Sequence, residues 1–148
     1  MDFGLLLGRA YEAFVQELHA HLAARGFPIV GASYGYVLRT LDGESVTATQ
    51  LGERLGITAQ GAAKIVDEMV AAGCVERRPD PADGRAKRLY LAPRGREMLD
   101  VVRAFHADFE HRLTARAGAQ PVAITRETLT RIVADAPGSD PTRIFRSV

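Results

Sequence analysis

Thr58, Gln60, Gly61 and Lys64 fall within one short segment, and their side chains are those that read a DNA groove. The amide of Gln60 matches the paired donor and acceptor on an adenine edge, and the ammonium of Lys64 reaches guanine acceptors or a phosphate. Ala59, Gly61 and Ala63 leave the backbone room to approach. A second basic group, Arg77, Arg78, Arg85, Lys87 and Arg88, flanks the turn-forming stretch Pro79-Asp80-Pro81-Ala82-Asp83-Gly84. Guanidinium groups at a hairpin tip suit a narrow minor groove and the phosphates beside it. Asp80 and Asp83 do not belong in a purely electrostatic clamp. Carboxylates bracketing the tip instead hold Arg85 or a nearby arginine in one direction, as a paired carboxylate fixes a guanidinium. The competing reading is an ordinary amphipathic surface helix followed by a solvated charged hairpin.

Helices and a hairpin must position these groups. From Phe3 to about Arg25, Arg9, Glu12 and Gln16 recur at helical spacing and apolar residues cover the rest, with Gly26 and Pro28 as the stop. Phe3, Leu7, Ala10, Phe14 and Leu18 line one side of this helix, Tyr11, Val15 and Leu22 another, which predicts more than one packing neighbour. A second helix is predicted over Ala32 to Leu41, ending at Asp42-Gly43. Thr47 with Gln50 forms a capping box for a short third helix carrying Leu51 and Leu55 and ending at Gly56. Thr58 caps a fourth, in which Ala62, Ile65, Val66 and Met69 form one buried stripe. Two short helices joined by Gly56-Ile57 are a helix-turn-helix candidate.

Cys74 to Arg78 and Lys87 to Leu91 then read as strands of a hairpin, the wing. Pro93 opens a long helix with the stripe Met98, Val102, Phe105, Phe109 and Leu113, which Gly118 closes. A last helix is predicted over Thr125 to Ala134, and Pro137 to Pro141 reads as a mobile segment before Ile144 and Phe145. The expected fold is mainly α with a small β-hairpin wing. Residues 31–92 form the winged helix-turn-helix, and 1–30 with 93–148 form a helical dimerisation region.

Composition narrows the function. The chain has 148 residues with 47% hydrophobic and 25% charged content, the range of a soluble single domain with its own core. Leu5, Leu6 and Leu7 are interrupted by Gly8, Arg9 and Glu12, which argues against a secretory signal or membrane span and for a cytoplasmic protein. Net charge is only +1, so any case for nucleic acid rests on the clustering of basic residues between Gly73 and Arg96. With Cys74 alone there is no intrachain disulfide or thiolate-rich metal site. No Gly-x-Ser-x-Gly, phosphate-cradling glycine loop or Cys-x-x-Cys is present, so no enzyme activity and no cofactor are expected.

The run from Gly56 through Met69, then Val75 through Leu91 and Gly95, resembles the MarR family of regulators. The family's wing reads Asp-x-Arg followed by Leu-x-Leu-Thr-x-x-Gly, matched here by Asp83, Arg85, Leu89, Leu91 and Gly95. The motif-bearing part spans about Ala32 to Leu99. The resemblance implies a homodimer joined by its terminal helices, with the fourth helix of each subunit in a major groove and the wing arginine in the adjoining minor groove of a pseudo-palindromic operator. Two positions depart from the pattern. Where the family commonly has Ala-Val-Ser this chain has Gly61, Ala62 and Ala63, which removes a hydroxyl contact at position 63. Ala92 replaces the usual threonine, deleting a helix cap worth about 1 kcal/mol.

The resemblance also implies transcriptional control, usually repression of its own or neighbouring genes, with release by a small aromatic effector in some members and by thiol oxidation in others. Tyr11, Phe14, His21, Tyr34, Tyr36 and Arg39 are the candidates for an effector cleft, with plain core packing as the alternative. Cys74, behind Gly73 at the start of a wing strand, is expected to be buried and inert. His19 with His21, and His106 with His111, do not share a helical face, so no metal site is expected. The rival function is a winged-helix module for protein contacts, in which Gln60, Lys64 and Arg85 would not matter to DNA.

Overall fold

Local capping decides where most helices begin and end. In the computed structural model, which describes residues 1–27, 31 and 33–136, Asp2 caps α1 (Phe3–Ala23) by accepting the Leu5 N–H at 2.9 Å. Helix α2 (Tyr34–Gly43) is followed by α3 (Ala48–Leu55), where the capping box is complete: Thr47 Oγ1 accepts from Gln50 N and Gln50 Oε1 accepts from Thr47 N. Gly56 ends α3 at φ +69°, a conformation that costs a glycine nothing. Thr58 then caps α4 (Ala59–Ala71).

The wing follows, with β1 (Val75–Pro79) antiparallel to β2 (Lys87–Leu91) in the register Val75↔Leu91 to Pro79↔Lys87. Val46 adds a bridge to Leu89, whose N–H donates to the Val46 carbonyl at 2.8 Å. This third strand position was not foreseen. It ties the outer edge of the hairpin to the segment before α3.

Helix α5 (Pro93–Ala117) opens on Pro93 with no side-chain cap from Ala92, as the threonine-to-alanine departure implies. Gly118, at φ +93°, turns the chain directly into α6 (Ala119–Ala134). This helix begins six residues before the predicted Thr125. Pro121 is the reason: it sits in the first turn, where the missing N–H has no partner in any helix, and so does not interrupt α6. Helix α2, for its part, runs through Asp42-Gly43, because the Glu44 N–H still reaches the Thr40 carbonyl. Pro28, the predicted α2 start at Ala32 and the stretch from Pro137 to Phe145 lie outside the described residues.

The core joins α2, α3, α4, the wing and the first half of α5. Val37, Leu38, Leu51, Leu55, Val66, Met69, Leu89, Met98 and Leu99 are essentially inaccessible. Each large side chain buried this way contributes about 1.5–3 kcal/mol. The terminal helices are attached more sparingly. In α1 only Leu22 is fully buried, while Phe14 packs its ring 5.5 Å from Phe105 and edge-on to Phe109 at 5.0 Å. Arg112 of α5 pairs with Glu17, and Arg126 of α6 with Glu110 at 2.7 Å.

Candidate nucleic-acid interface

Helix α4 is held on its inner side and open on its outer side. Ala62, Val66 and Met69 are buried, Ile65 is half-buried, and Gln60 and Lys64 are exposed four residues apart on one face. The α3–α4 crossing is close because Gly52 has no side chain: a Cβ there would stand 3.3 Å from the Ala62 Cβ and 3.2 Å from the Ile57 carbonyl. Thr58 Oγ1 accepts the Gly61 N–H at 3.0 Å, so this hydroxyl is first a cap. Gly61 has little spare room, since an added Cβ would come within 3.2 Å of that same oxygen.

The hairpin tip is built by its two aspartates. Asp83 Oδ1 accepts the Arg85 N–H at 3.0 Å and Asp80 Oδ1 accepts the Ala82 N–H at 2.8 Å, two side-chain turns that set the loop. Asp83 therefore steers Arg85 through its backbone. Asp80 reaches a guanidinium, that of Arg88, at 3.4 Å, and Arg88 also donates to the Ser45 carbonyl at 3.2 Å. Arg88, grouped by sequence with the groove-facing residues, is thus turned inward as a strut between β2 and the segment before α3.

The remaining basic side chains divide in the same way. Arg78 and Arg88 face each other across the strands, an arrangement that would repel. The Asp80 contact relieves it on one side, and on the other Glu76 pairs with Arg78 at 2.7 Å while Arg78 lies 4.6 Å above the Tyr90 ring. Arg77 pairs with Asp67 and so links β1 to α4. Among the described residues, no ion pair engages Lys64, Arg85 or Lys87, all of which are exposed. Asp67, Glu76 and Tyr90 carry no DNA-reading chemistry and escaped sequence reasoning, yet they orient two of the arginines.

A separate cleft of about 300 Å³ opens where α1, α2 and α5 meet. Of the six candidates, Tyr11, Phe14, Tyr36 and Arg39 line it. The other two do not: His21 packs at a tilt against Phe105, ring centroids 5.2 Å apart, and the Tyr34 hydroxyl bonds to Glu68 of α4. His19, Leu18, Met98 and His106 complete the wall. Burial, with Arg39 nearby, holds His106 below the ordinary imidazole range, so the cleft offers one fixed cation and mostly apolar walls.

Cys74 is fully buried, its sulfur 4.0 Å from Met98 Sδ, and burial pushes the thiol up against the opposing pull of Arg94. A protonated, enclosed thiol is a poor nucleophile. Alkylation of the native protein at pH 8 should run at least about a hundredfold slower than in denaturant. Comparable rates would show that the site opens readily.

Residues 30–86 match the model of the MarR family. An uncharacterised protein of Mycobacterium tuberculosis, Rv2011c, is 26% identical over 120 residues, covering 77% of this chain and 84% of its own length. Among solved structures, the transcriptional repressor CouR bound to a 23-mer DNA duplex superposes with a TM-score of 0.72 at 25% identity, over 88% of this chain and 92% of CouR. The reduced form of MarR from E. coli gives 0.71 at 22% identity, over 89% and 96%. These likenesses agree with the winged-helix architecture described above. Among the described residues no helix is long and apolar enough to cross a membrane.

Proposed function

We propose, from the premise that this chain is a winged-helix protein of the MarR family, that it is a cytoplasmic, homodimeric transcriptional regulator that binds a pseudo-palindromic operator in double-stranded DNA. The observation that carries the reading is the exposed outer face of α4, with Gln60 and Lys64, beside a wing whose tip is built to present Arg85. In this reading Gln60 and Lys64 meet base edges in the major groove, Arg85 enters the minor groove, and Arg77, Arg78 and Lys87 meet phosphates. Thr58 and Gly61 let the start of α4 come close, Arg88 with Asp80 and Asp83 keeps the wing in shape, and repression follows from occupying a promoter. The regions 1–30 and 93–148 supply the dimer contact.

The cleft supports a finer expectation. Its volume fits one small aromatic molecule, and the cation at Arg39 favours an acidic or phenolic substituent. Occupancy beside α2 would release the protein from its operator.

Mobility shift against the DNA upstream of the protein's own gene tests the proposal. Binding through several phosphate contacts per dimer should weaken by orders of magnitude between about 50 and 200 mM salt. Arg85→Ala should weaken it about tenfold without loss of fold, and Gln60→Ala should relax discrimination at one base pair per half-site. A protein that shows no preference for that DNA over a random duplex, with both variants like the wild type, would be a protein-contact module instead.

A further inference from the structure

The first half of α2 serves two parts of the molecule. Gly35, Tyr36 and Arg39 line the cleft, whereas the intervening geometry sends Tyr34 the other way, into the core, where it is only 5% exposed. There the Tyr34 hydroxyl donates to Glu68 Oε2 at 3.0 Å, across 34 residues of sequence. Glu68 lies on α4, two turns after Lys64's neighbour Gln60 and on the same rigid helix as both. Among the described residues every buried side-chain N or O atom has a hydrogen-bond partner.

We propose that Tyr34 is a positioning residue for DNA reading: its hydroxyl, held on Glu68, fixes the orientation in which α4 presents Gln60 and Lys64. The inference rests on the reading of α4 as the DNA-contacting helix. Its physical basis is that the apolar stripe of α4, Ala62, Val66 and Met69, resists separation from the core but restrains sliding and rotation only weakly, because dispersion and burial are non-directional. A hydrogen bond to a carboxylate is directional and strong. Burial, and then the bond itself, pushes the Tyr34 hydroxyl up to about 12, so it remains a donor throughout the physiological range. Without it, α4 samples orientations that do not fit the groove, and apparent affinity falls with the fraction that does.

Four variants of the full chain test this by operator titration, with thermal unfolding measured in parallel. Tyr34→Phe keeps the ring and its packing and should weaken operator binding about five- to tenfold. Glu68→Ala should match that loss. Glu68→Gln removes the same charge but keeps an acceptor oxygen, and should bind within about twofold of the wild type. The double variant Tyr34→Phe with Glu68→Ala should be no weaker than either single one, because both remove the same bond. A merely structural role would track unfolding temperature and would not distinguish glutamine from alanine at position 68. Wild-type affinity in Tyr34→Phe, or equal affinities for the two position-68 variants, overturns the inference while leaving the DNA-binding reading intact; no operator binding by the wild type removes that reading itself.

Discussion

Gly95→Ala is expected to lower stability by about 3 kcal/mol or more, and to drop the melting temperature by roughly 10 °C. Gly95 lies in the first turn of α5, directly against the backbone of Cys74. A Cβ at this position would stand 3.0 Å from the Cys74 carbonyl carbon and nearer still to its oxygen. Such a clash is cheap to relieve when the neighbour is the end of a flexible side chain. Here it is backbone, pinned from both directions: the Cys74 carbonyl accepts the Ala92 N–H at 3.0 Å, and the Cys74 N–H donates to the Met69 carbonyl at 2.9 Å. To admit one methyl group, α5 must withdraw from the wing, breaking the contact of Met98 with Cys74 and loosening the seam between the winged helix and the long helix. Gly43→Ala is the control, since an added Cβ there meets nothing within 4 Å and φ is not positive. It should leave the melting temperature within about 2 °C. Equal melting curves for the two variants would show that the seam is far softer than these distances indicate.

Gly95 also illustrates what the sequence made legible. It is one of the positions at which the chain resembles the MarR family, but the residue alone does not reveal its neighbour; the need for glycine becomes physical only when Cys74 is found against it. Features closed within a few residues were readable at once. The Thr47 and Gln50 box, the Thr58 cap, the left-handed Gly56 and the Gly118 turn all depend on groups no more than four positions apart. The strand β2 was read to the residue for the same reason, bounded by Gly84 and by Pro93.

Interactions that span the chain were not readable. Val46 contributes a single bridge, with no alternating run to announce a strand. Tyr34 looks like any aromatic at helical spacing, and only the tertiary fold turns its hydroxyl to Glu68 of α4 rather than to the cleft. Arg88 sits in a row of basic residues that composition treats alike. Its different fate follows from its partners, the Asp80 carboxylate and the Ser45 carbonyl, while Lys87 and Arg85 stay exposed. Charge clustering marks out a candidate region, and the hydrogen bonds within it separate struts such as Arg88 from exposed cations such as Arg85.

Glutamate at Leu6 of α1 together with glutamate at Ile124 of α6 is expected to convert the protein to a monomer and to weaken operator binding by about a hundredfold or more. Both residues are 55% exposed, in company with Phe3, Leu5 and Tyr11 on α1 and with Leu129, Ile132 and Val133 on α6. Neither belongs to the core, so the fold of the winged helix should survive the change. In the proposed dimer what is lost is burial of these two exposed apolar helix faces against a second copy. Carboxylates placed there would be desolvated on pairing with no cation provided, at a cost of several kcal/mol each. On the proposed function DNA binding falls with it, because each subunit would present a single reading helix: the first half-site engaged raises the effective concentration of the second only while the subunits are joined. Sedimentation would report the mass, and titration with the full operator and with an isolated half-site would separate the two effects. A monomer should bind both duplexes with the same weak affinity. Retention of dimer mass would place the subunit contact elsewhere on the surface, and full operator affinity in a proven monomer would overturn the two-fold reading altogether.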